Sequence, residues 1–439
     1  MSKKLIVIIL CLLFLLPVTS QAAEKAEYPL KQVLILSRHN IRAPLAGRDS
    51  TLAKLTPHTW FDWQCAPGEL SPRGAELELL MGQYFRQWLE QESLLTHNVS
   101  PAAEEVRFYT NSFQRTIATA RYFACGLLPL SDVTIEYHQE VNAADPVFLP
   151  ATPDNELYRQ QVQREFDQSG IKNDLQQRGE RACKLLIEAL DFDKSAYARK
   201  HGPIDYTGKA ITLPKNGGLG LKTPWGALIP ASDALTLQYY EEENDLAAAF
   251  GHQLTSKDWE DIAALKELGI NSLFYEPTAA KALAAPLLAT ISQELDNGQR
   301  KITFLGGHDV NLAEVLPALG VEDYTLAGSI EAKTPIGAKL VIEKRQGKDG
   351  EEYAGLSLVY ATAQQLRHRT PLTLQAPPAR VPLRLKGLTA NADGLYHFPD
   401  LQQRIQSAVQ EGQRWQNVAS NLSQSDVQRH HHGKARRKG

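Results

Sequence analysis

Residues 32–37, QVLILS, form a short apolar run that stops abruptly on Ser37-Arg38-His39-Asn40. A run this brief, rich in aliphatic and β-branched side chains, is a buried strand rather than a helix. The pattern recurs along the chain. Residues 106–110 (VRFYT) make a second strand, and the Asn111-Ser112 that follows predicts a capped helix through Arg115, Ala120 and Phe123. Residues 133–138 make a third. Residues 301–305 (KITFL) make a fourth, ended by Gly306-Gly307 and followed by a helical stretch over 310–319. Ser71-Pro72 opens another helix, with serine as cap and proline in the first turn, and Leu77, Leu80, Met81, Tyr84, Phe85 and Trp88 recur behind it at helical spacing. Residues 338–343 and 356–360 read as late strands.

Strand–helix alternation at both ends of the chain predicts an α/β domain whose mainly parallel sheet is flanked by helices. This domain takes residues 24–140 and 300–420. Residues 141–299 read as a mostly α-helical insertion, clearest over 234–250 and 277–295, with a Gly/Pro-rich stretch at 213–230. Tyr239 and Tyr240 read as core or rim packing. The polar tail, 421–439, contains His430-His431-His432 and a basic run, and its composition predicts disorder.

Residues 1–22 stand apart. Lys3 and Lys4 precede an apolar run over 5–18, and small residues follow at 19–23, the pattern of a secretory signal peptide. The run is shorter than the roughly 20 residues of a membrane span. The expectation is an exported, periplasmic protein with no membrane attachment after cleavage. Cys11 leaves with the leader, so Cys65, Cys125 and Cys183 form an odd set that cannot pair fully within one chain. The net charge is −3 for the whole chain, which becomes −5 without Lys3 and Lys4 and about −10 without the five cations of the last eleven residues. An acidic body argues against nucleic acid as a partner. An anionic substrate then requires a local cluster of cations.

Three loops carry chemistry, each directly after an apolar strand. In open α/β sheets ligands bind beyond the carboxyl ends of the strands, so the three can meet in one pocket. In the first, Arg38 and Arg42 flank His39. Arginine offers a planar fork of donors that matches phosphate oxygens, and a neutral imidazole has a lone pair free to attack phosphorus. In the second, Gly306-Gly307-His308-Asp309, the glycines allow close approach to a ligand, His308 can hold a phosphate oxygen, and Asp309 can protonate an alcohol leaving group or merely cap the helix. The third adds Arg115, a weak signal alone.

In combination these loops resemble the histidine acid phosphatases of the phosphoglycerate-mutase-like superfamily. The family signature Arg-His-Gly/Asn-x-Arg-x-Pro matches residues 38–44, the His-Asp element matches His308-Asp309, and the intermediate arginine matches Arg115. The similarity runs from about 30 to 415. It is nearest the bacterial periplasmic glucose-1-phosphatase and phytase branch, through Asn40, residues 236–240 (TLQYY) and residues 334–337 (TPIG). The resemblance implies hydrolysis of a small-molecule phosphate monoester, a sugar or inositol phosphate, through phosphohistidine on His39. It implies that Arg38, Arg42, Arg115 and His308 hold the phosphate and that Asp309 is the proton donor, with no metal and no cofactor. The chain departs from the family at three points. Residues 387–396 lack cysteines, residues 211–230 lack the acidic residue that reaches toward the pocket in glucose-1-phosphatase-like members, and Leu45 stands where phytases often have threonine. Two other readings remain open: a phosphotransferase or mutase of the same superfamily, and a non-catalytic phosphate-ester binding protein. The oligomeric state is left open as well.

Overall fold

The computed structural model describes residues 27–47, 50–207, 212, 221–270 and 272–435, with side chains to residue 417. The expected leader at 1–22 and residues 213–220 of the 213–230 stretch lie outside the described residues. The strands are β1 (Leu30–Arg38), β2 (Val106–Thr110), β3 (Ile135–Glu136), β4 (Ile302–Gly307), β5 (Lys339–Gln346), β6 (Glu352–Tyr360), β7 (Ala379–Pro382) and β8 (Tyr396–His397). They form one sheet in the order β3-β2-β4-β1-β5-β6-β7, with β8 also on β6. The pairs β3/β2, β2/β4 and β4/β1 are parallel. Beyond β1 the sheet continues antiparallel through β5, β6 and β7. The α/β architecture is thus the expected one, with a parallel centre and an antiparallel flank.

The apolar runs follow from burial on both faces. Along β1, Val33 and Ile35 point into one core while Leu34 and Leu36 point into the other. The first core is closed by α1 (Pro72–Gln91) and α2 (Gln114–Leu127). At the start of α1 the Ser71 hydroxyl accepts from Gly74 N–H at 3.0 Å, the cap read from the sequence. Gly74 also has no room for a side chain. A Cβ there would lie 2.3 Å from the Ile41 carbonyl oxygen, so the helix packs directly against the backbone that follows His39.

Between β3 and β4 run α3 (Glu156–Gln168), α4 (Ile171–Ala189), α5 (Ala196–His201), α6 (Ile229–Glu241), α7 (Asp245–Ala248), α8 (Ser256–Ile270) and α9 (Pro277–Asp296). The helix expected over 234–250 starts earlier and breaks after Glu241. The expected insertion boundary at 299 also moves. Ala280, Ala284, Leu287, Leu288, Ile291 and Leu295 of α9 pack in the second core with Leu34, Leu36 and Leu305, so this helix covers the sheet. The apolar stripe that marks it as helical is the stripe that the sheet buries. After β4 come α10 (Asp309–Ala318), α11 (Ala363–Arg367) and α12 (Phe398–Ala435). The helical path of α12 continues to residue 435, where composition had predicted disorder. Cys65, Cys125 and Cys183 are all free thiols. Among the described residues no helix is long and apolar enough to cross a membrane.

One buried ion pair ties the two halves of the first core. Lys339 of β5 and Glu78 of α1 are fully buried, with Lys339 Nζ 3.0 and 3.1 Å from the two carboxylate oxygens. The ammonium also donates to Ser37 Oγ and to the Gly337 carbonyl, both at 3.1 Å. Burial pushes the Lys339 ammonium down and the Glu78 carboxyl up, and each partner opposes the shift of the other. Removing one member of such a pair leaves an uncompensated charge, which costs about 3–5 kcal/mol. Lys339→Met should therefore lower stability in urea by about that amount, and Lys339→Met with Glu78→Leu should recover most of it. A loss under about 1 kcal/mol in the single variant would contradict this role for the pair.

Candidate active site

The sheet register brings the three loops together. Arg38 of β1 is paired with Gly307 of β4, so the next residues, His39 and His308, emerge side by side. His39 N–H donates to the Gly307 carbonyl at 3.0 Å, and the two imidazole centroids are 5.5 Å apart. On the other side of β4, Thr110 pairs with Gly306, and Asn111 N–H donates to the Gly306 carbonyl at 2.8 Å. Gly306 and Gly307 serve packing between elements rather than approach to a ligand. A Cβ at Gly306 would lie 2.7 Å from Thr110 Cγ2, and one at Gly307 would lie 2.3 Å from Asn311 Oδ1.

All six residues singled out by the sequence lie in this cluster. Arg38 Nη1 donates to Glu331 Oε1 and to the Thr334 carbonyl, both at 2.5 Å. Its Nη2 is 3.8 Å from Asp309 Oδ2. Arg42 Nη2 is 2.9 Å from Asp233 Oδ2. Arg115 Nη1 donates to the Gly68 carbonyl at 3.4 Å, and its guanidinium lies 4.6 Å from the Phe113 ring centroid. Arg38 Nε and Arg115 Nε are buried donors with no protein acceptor among the described residues, so each can turn to an anion. Asp309 is the first residue of α10, and its Oδ1 accepts from Val310 N–H at 3.1 Å.

Tautomers follow from the partners. Asn111 Oδ1 accepts from the backbone of Ser112 and of Asp145, each at 2.9 Å, which leaves its Nδ2 to donate to His308 Nε2 at 2.8 Å. With Nε2 accepting, the ring proton falls on Nδ1, which faces the Arg115 Nη2 donor at 3.3 Å, so two donors meet there and an anion's oxygen can accept from both. Asn111 was expected to cap α2. The cap position is instead Phe113, and Asn111 orients the histidine. His39 Nδ1 lies 2.8 Å from the Asn40 carbonyl, an acceptor, so Nδ1 carries the proton and Nε2 keeps its lone pair. Asn40 is braced in turn. Its Nδ2 donates to Glu78 at 2.8 Å and its Oδ1 accepts from Ile41 N–H at 2.8 Å.

Three residues join the cluster without a sequence signal. Lys266 of α8 places Nζ 2.8 Å from Asp309 Oδ2 and 3.1 Å from Asp233 Oδ1. Asp233 of α6 links Lys266 to Arg42. Glu331 holds Arg38 and accepts from Tyr240 O–H at 3.1 Å and from Ile336 N–H at 2.7 Å. Lys266 stands beside Glu267 in a helical stretch, where charged residues usually face solvent. Asp233 lies three residues beyond the stretch in which an acidic residue was sought.

The model of the histidine phosphatase superfamily (branch 2) matches residues 29–196. The chain is 35% identical over 402 residues to a glucose-1-phosphatase of Salmonella typhimurium, covering 90% of this chain and 96% of that protein. It is 29% identical over 422 residues to phytase AppA of Escherichia coli, covering 90% and 96%. Among solved structures it resembles Hafnia alvei phytase in complex with myo-inositol hexakis sulphate. The TM-score is 0.78 at 30% identity, over 88% of this chain and 98% of that one.

The field in the cluster is strongly cationic. Burial, then Arg115 and His308, hold His39 well below the usual imidazole range. Burial and Arg115 bring His308 down to about 3. Burial and Arg42 bring Arg115 down to about 10. Burial alone would raise Asp309, yet Lys266 and Arg38 hold it well below the usual carboxylate range. Burial would likewise raise Asp233, and Arg42 and Lys266 bring it down to about 2. For His308 the consequence for stability has a definite sign. An unfolded imidazole takes up its proton near 6.5, whereas the folded ring refuses it until about 3. As pH falls through this window the unfolded state binds more protons, so stability falls, and the loss levels off below about 3. His308→Asn should remove a contribution on the order of 3 kcal/mol at pH 4 and flatten the decline of Tm between pH 7 and pH 4. Equal declines in both proteins would contradict a neutral His308.

Proposed function

The chain belongs to the histidine phosphatase superfamily, branch 2, and on that premise we propose that it hydrolyses sugar or inositol phosphate monoesters through a phosphohistidine on His39. It is an enzyme of the histidine acid phosphatase kind, as its relatives are. The observation that carries the mechanism is the His39 tautomer. With Nδ1 donating to the Asn40 carbonyl, Nε2 is left with a lone pair, and burial among arginines keeps that lone pair unprotonated in acid. Nε2 attacks phosphorus and the P–O ester bond breaks. Arg38, Arg42, Arg115 and the Nδ1–H of His308 hold the phosphoryl oxygens and neutralise the charge that develops, typically a few kcal/mol per donor. The leaving oxygen takes its proton from Asp309. Water then loses a proton to the same carboxylate and attacks phosphorus, the P–N bond breaks, and phosphate leaves.

Asp309 must be protonated to act as the acid, but without substrate it is paired with Lys266. A phosphate group entering the cluster draws Lys266 and Arg38 toward itself and relaxes their hold on Asp309. At acidic pH a substrate monoanion can bring the proton with it. Ala43 and Pro44, directly after Arg42, line a cavity of about 770 Å³ walled by Trp60, Phe61 and Trp63, and we assign the leaving group to it. Such aromatic walls suit the apolar faces of a sugar or inositol ring. The helical insertion ahead of α9 and its 213–230 stretch set specificity on this reading. Export to the periplasm belongs to the proposal as well, and rests on the leader pattern of residues 1–22.

The test is release of phosphate from p-nitrophenyl phosphate at mildly acidic pH in EDTA. His39→Ala should lose at least about 10³-fold in kcat/KM, and equal rates in the two proteins would end the proposal. Added glycerol should capture little of the phosphoryl group, whereas predominant transfer would mark a phosphotransferase. A second variant tests the proton donor. Lys266→Met removes a cation that holds Asp309 low, so the free carboxyl keeps its proton to higher pH. The basic limb of its kcat/KM profile, which reports the free enzyme, should move upward in pH. An unmoved limb would exclude Asp309 as the acid.

A further inference from the structure

Away from the cationic cluster, three segments distant in sequence converge on one point. His58 lies in a bend after the 3₁₀ turn Thr51–Lys54. Asp191 follows α4 in the left-handed conformation, at φ 47°. His252 lies in the loop ahead of α8. His58 Nε2 is 2.8 Å and His252 Nε2 is 3.3 Å from the same oxygen, Asp191 Oδ2, and each residue offers one ligand atom within 4.8 Å of those of the other two. Zinc binds imidazole nitrogen and carboxylate oxygen at about 2.0–2.2 Å, so two ligands of one tetrahedral ion stand roughly 3.4 Å apart. The two observed distances, 2.8 and 3.3 Å, fall short of that value by about 0.1–0.6 Å, a gap that small side-chain rotations open.

The side chains are held for such a role. The His58 ring stacks on Phe250, with centroids 5.0 Å apart and planes 9° from parallel, and Phe250 meets Trp60 edge to face. The other oxygen of Asp191, Oδ1, accepts from Lys194 Nζ at 2.9 Å, which fixes the carboxylate and turns Oδ2 toward the histidines. All three side chains are 21–35% exposed, so an ion can enter from solvent and keep water in its remaining positions. Two neutral imidazoles and one carboxylate carry −1, which Lys194 on Oδ1 offsets, so the ligand type decides, and imidazole ligands favour zinc, copper or nickel over magnesium or calcium.

We propose that His58, Asp191 and His252 form a binding site for a divalent metal of the zinc class. Each ring coordinates through Nε2 and keeps its single proton on Nδ1. The ion ties the segment that carries His58, next to the aromatic wall of the substrate cavity, to the helical insertion that carries Asp191 and His252. Its role is structural, so hydrolysis in EDTA continues without it. The competing arrangement, a carboxylate that accepts two N–H bonds, needs a proton on each Nε2 and leaves no lone pair for an ion.

The test must separate this site from His430, His431 and His432, which offer imidazoles of their own. The full chain carrying His430→Ala, His431→Ala and His432→Ala is stripped with EDTA, dialysed and titrated with zinc at pH 7 by calorimetry. One equivalent should bind, and saturating zinc should raise Tm by a few degrees. In the same background His58→Ala, Asp191→Asn and His252→Ala should each weaken binding at least tenfold and abolish the rise in Tm. The His252→Ala protein should hydrolyse p-nitrophenyl phosphate in EDTA at the unsubstituted rate, which shows that it is folded. Absence of binding up to about 1 mM zinc, or an equivalent that survives all three substitutions, would overturn the site.

Discussion

The parallel pairing of β1 with β4 is the constraint on which the cluster depends. Two strands far apart in sequence end at one height because Arg38 is in register with Gly307. A shift by one residue would turn each strand's alternate side chains to the opposite face of the sheet, exchanging the cores that now contain Val33 and Leu34. Burial on both faces therefore fixes the register, and the register fixes the 5.5 Å between the rings of His39 and His308. Chemistry at the strand ends inherits its geometry from packing in the strand interiors. Asn111 enters by the same route, since β2 lies in register on the other edge of β4.

The loop after β1 then needs support that hydrophobic packing cannot supply. It comes from beneath, through Asn40 to Glu78 and from Glu78 to Lys339, with Lys339 reaching back to Ser37 and Gly337. A buried ion pair is seldom the most stable filling for a core, but this one has directional partners on three elements. Gly74 contributes by absence of a side chain, which lets α1 press on the Ile41 backbone. Asn40 does what glycine cannot in this position. Its side chain joins the loop to the pair, and the backbone carbonyl so held, one that any residue would supply, fixes the His39 tautomer.

Much of this was legible in the chain itself, and the remainder was hidden for physical reasons. A short apolar run followed at once by arginine and histidine leaves few options, so β1, β4 and their reactive ends could be read directly. So could α1, whose serine cap, proline and apolar stripe agree with one another. Local signals cannot report a partner brought in by tertiary structure. Lys266 occupies a helical position of a kind usually solvated, and only the packing of α8 turns it toward Asp309. Asp233 lies in a helix buried almost throughout, so no periodicity marks it. Asn111 looked like a cap because caps and histidine partners use the same amide. The stripe of α9 marked it as a helix without saying that it covers the sheet. The triad of His58, Asp191 and His252 escaped because its members meet only once the insertion has folded.

The carboxylates of the cluster divide by what they hold. Glu331 is fixed from behind, by Tyr240 and by the Ile336 backbone, and engages Nη1 of Arg38. Asp233 is shared between Arg42 and Lys266 and is brought down to about 2. Both act as counterions that aim the cations. Asp309 differs. Its closest cation, Lys266, is on a flexible stem, and its contact with Arg38 is long, at 3.8 Å. On the proposed mechanism it is the carboxylate that an incoming anion frees, because a phosphate competes for the same Lys266 and for the unpartnered Arg38 Nε. A single site can then hold a carboxylate ionised while empty and let it take a proton when filled. That reversal needs no movement of the backbone, only an exchange of one anion for another beside the same cations.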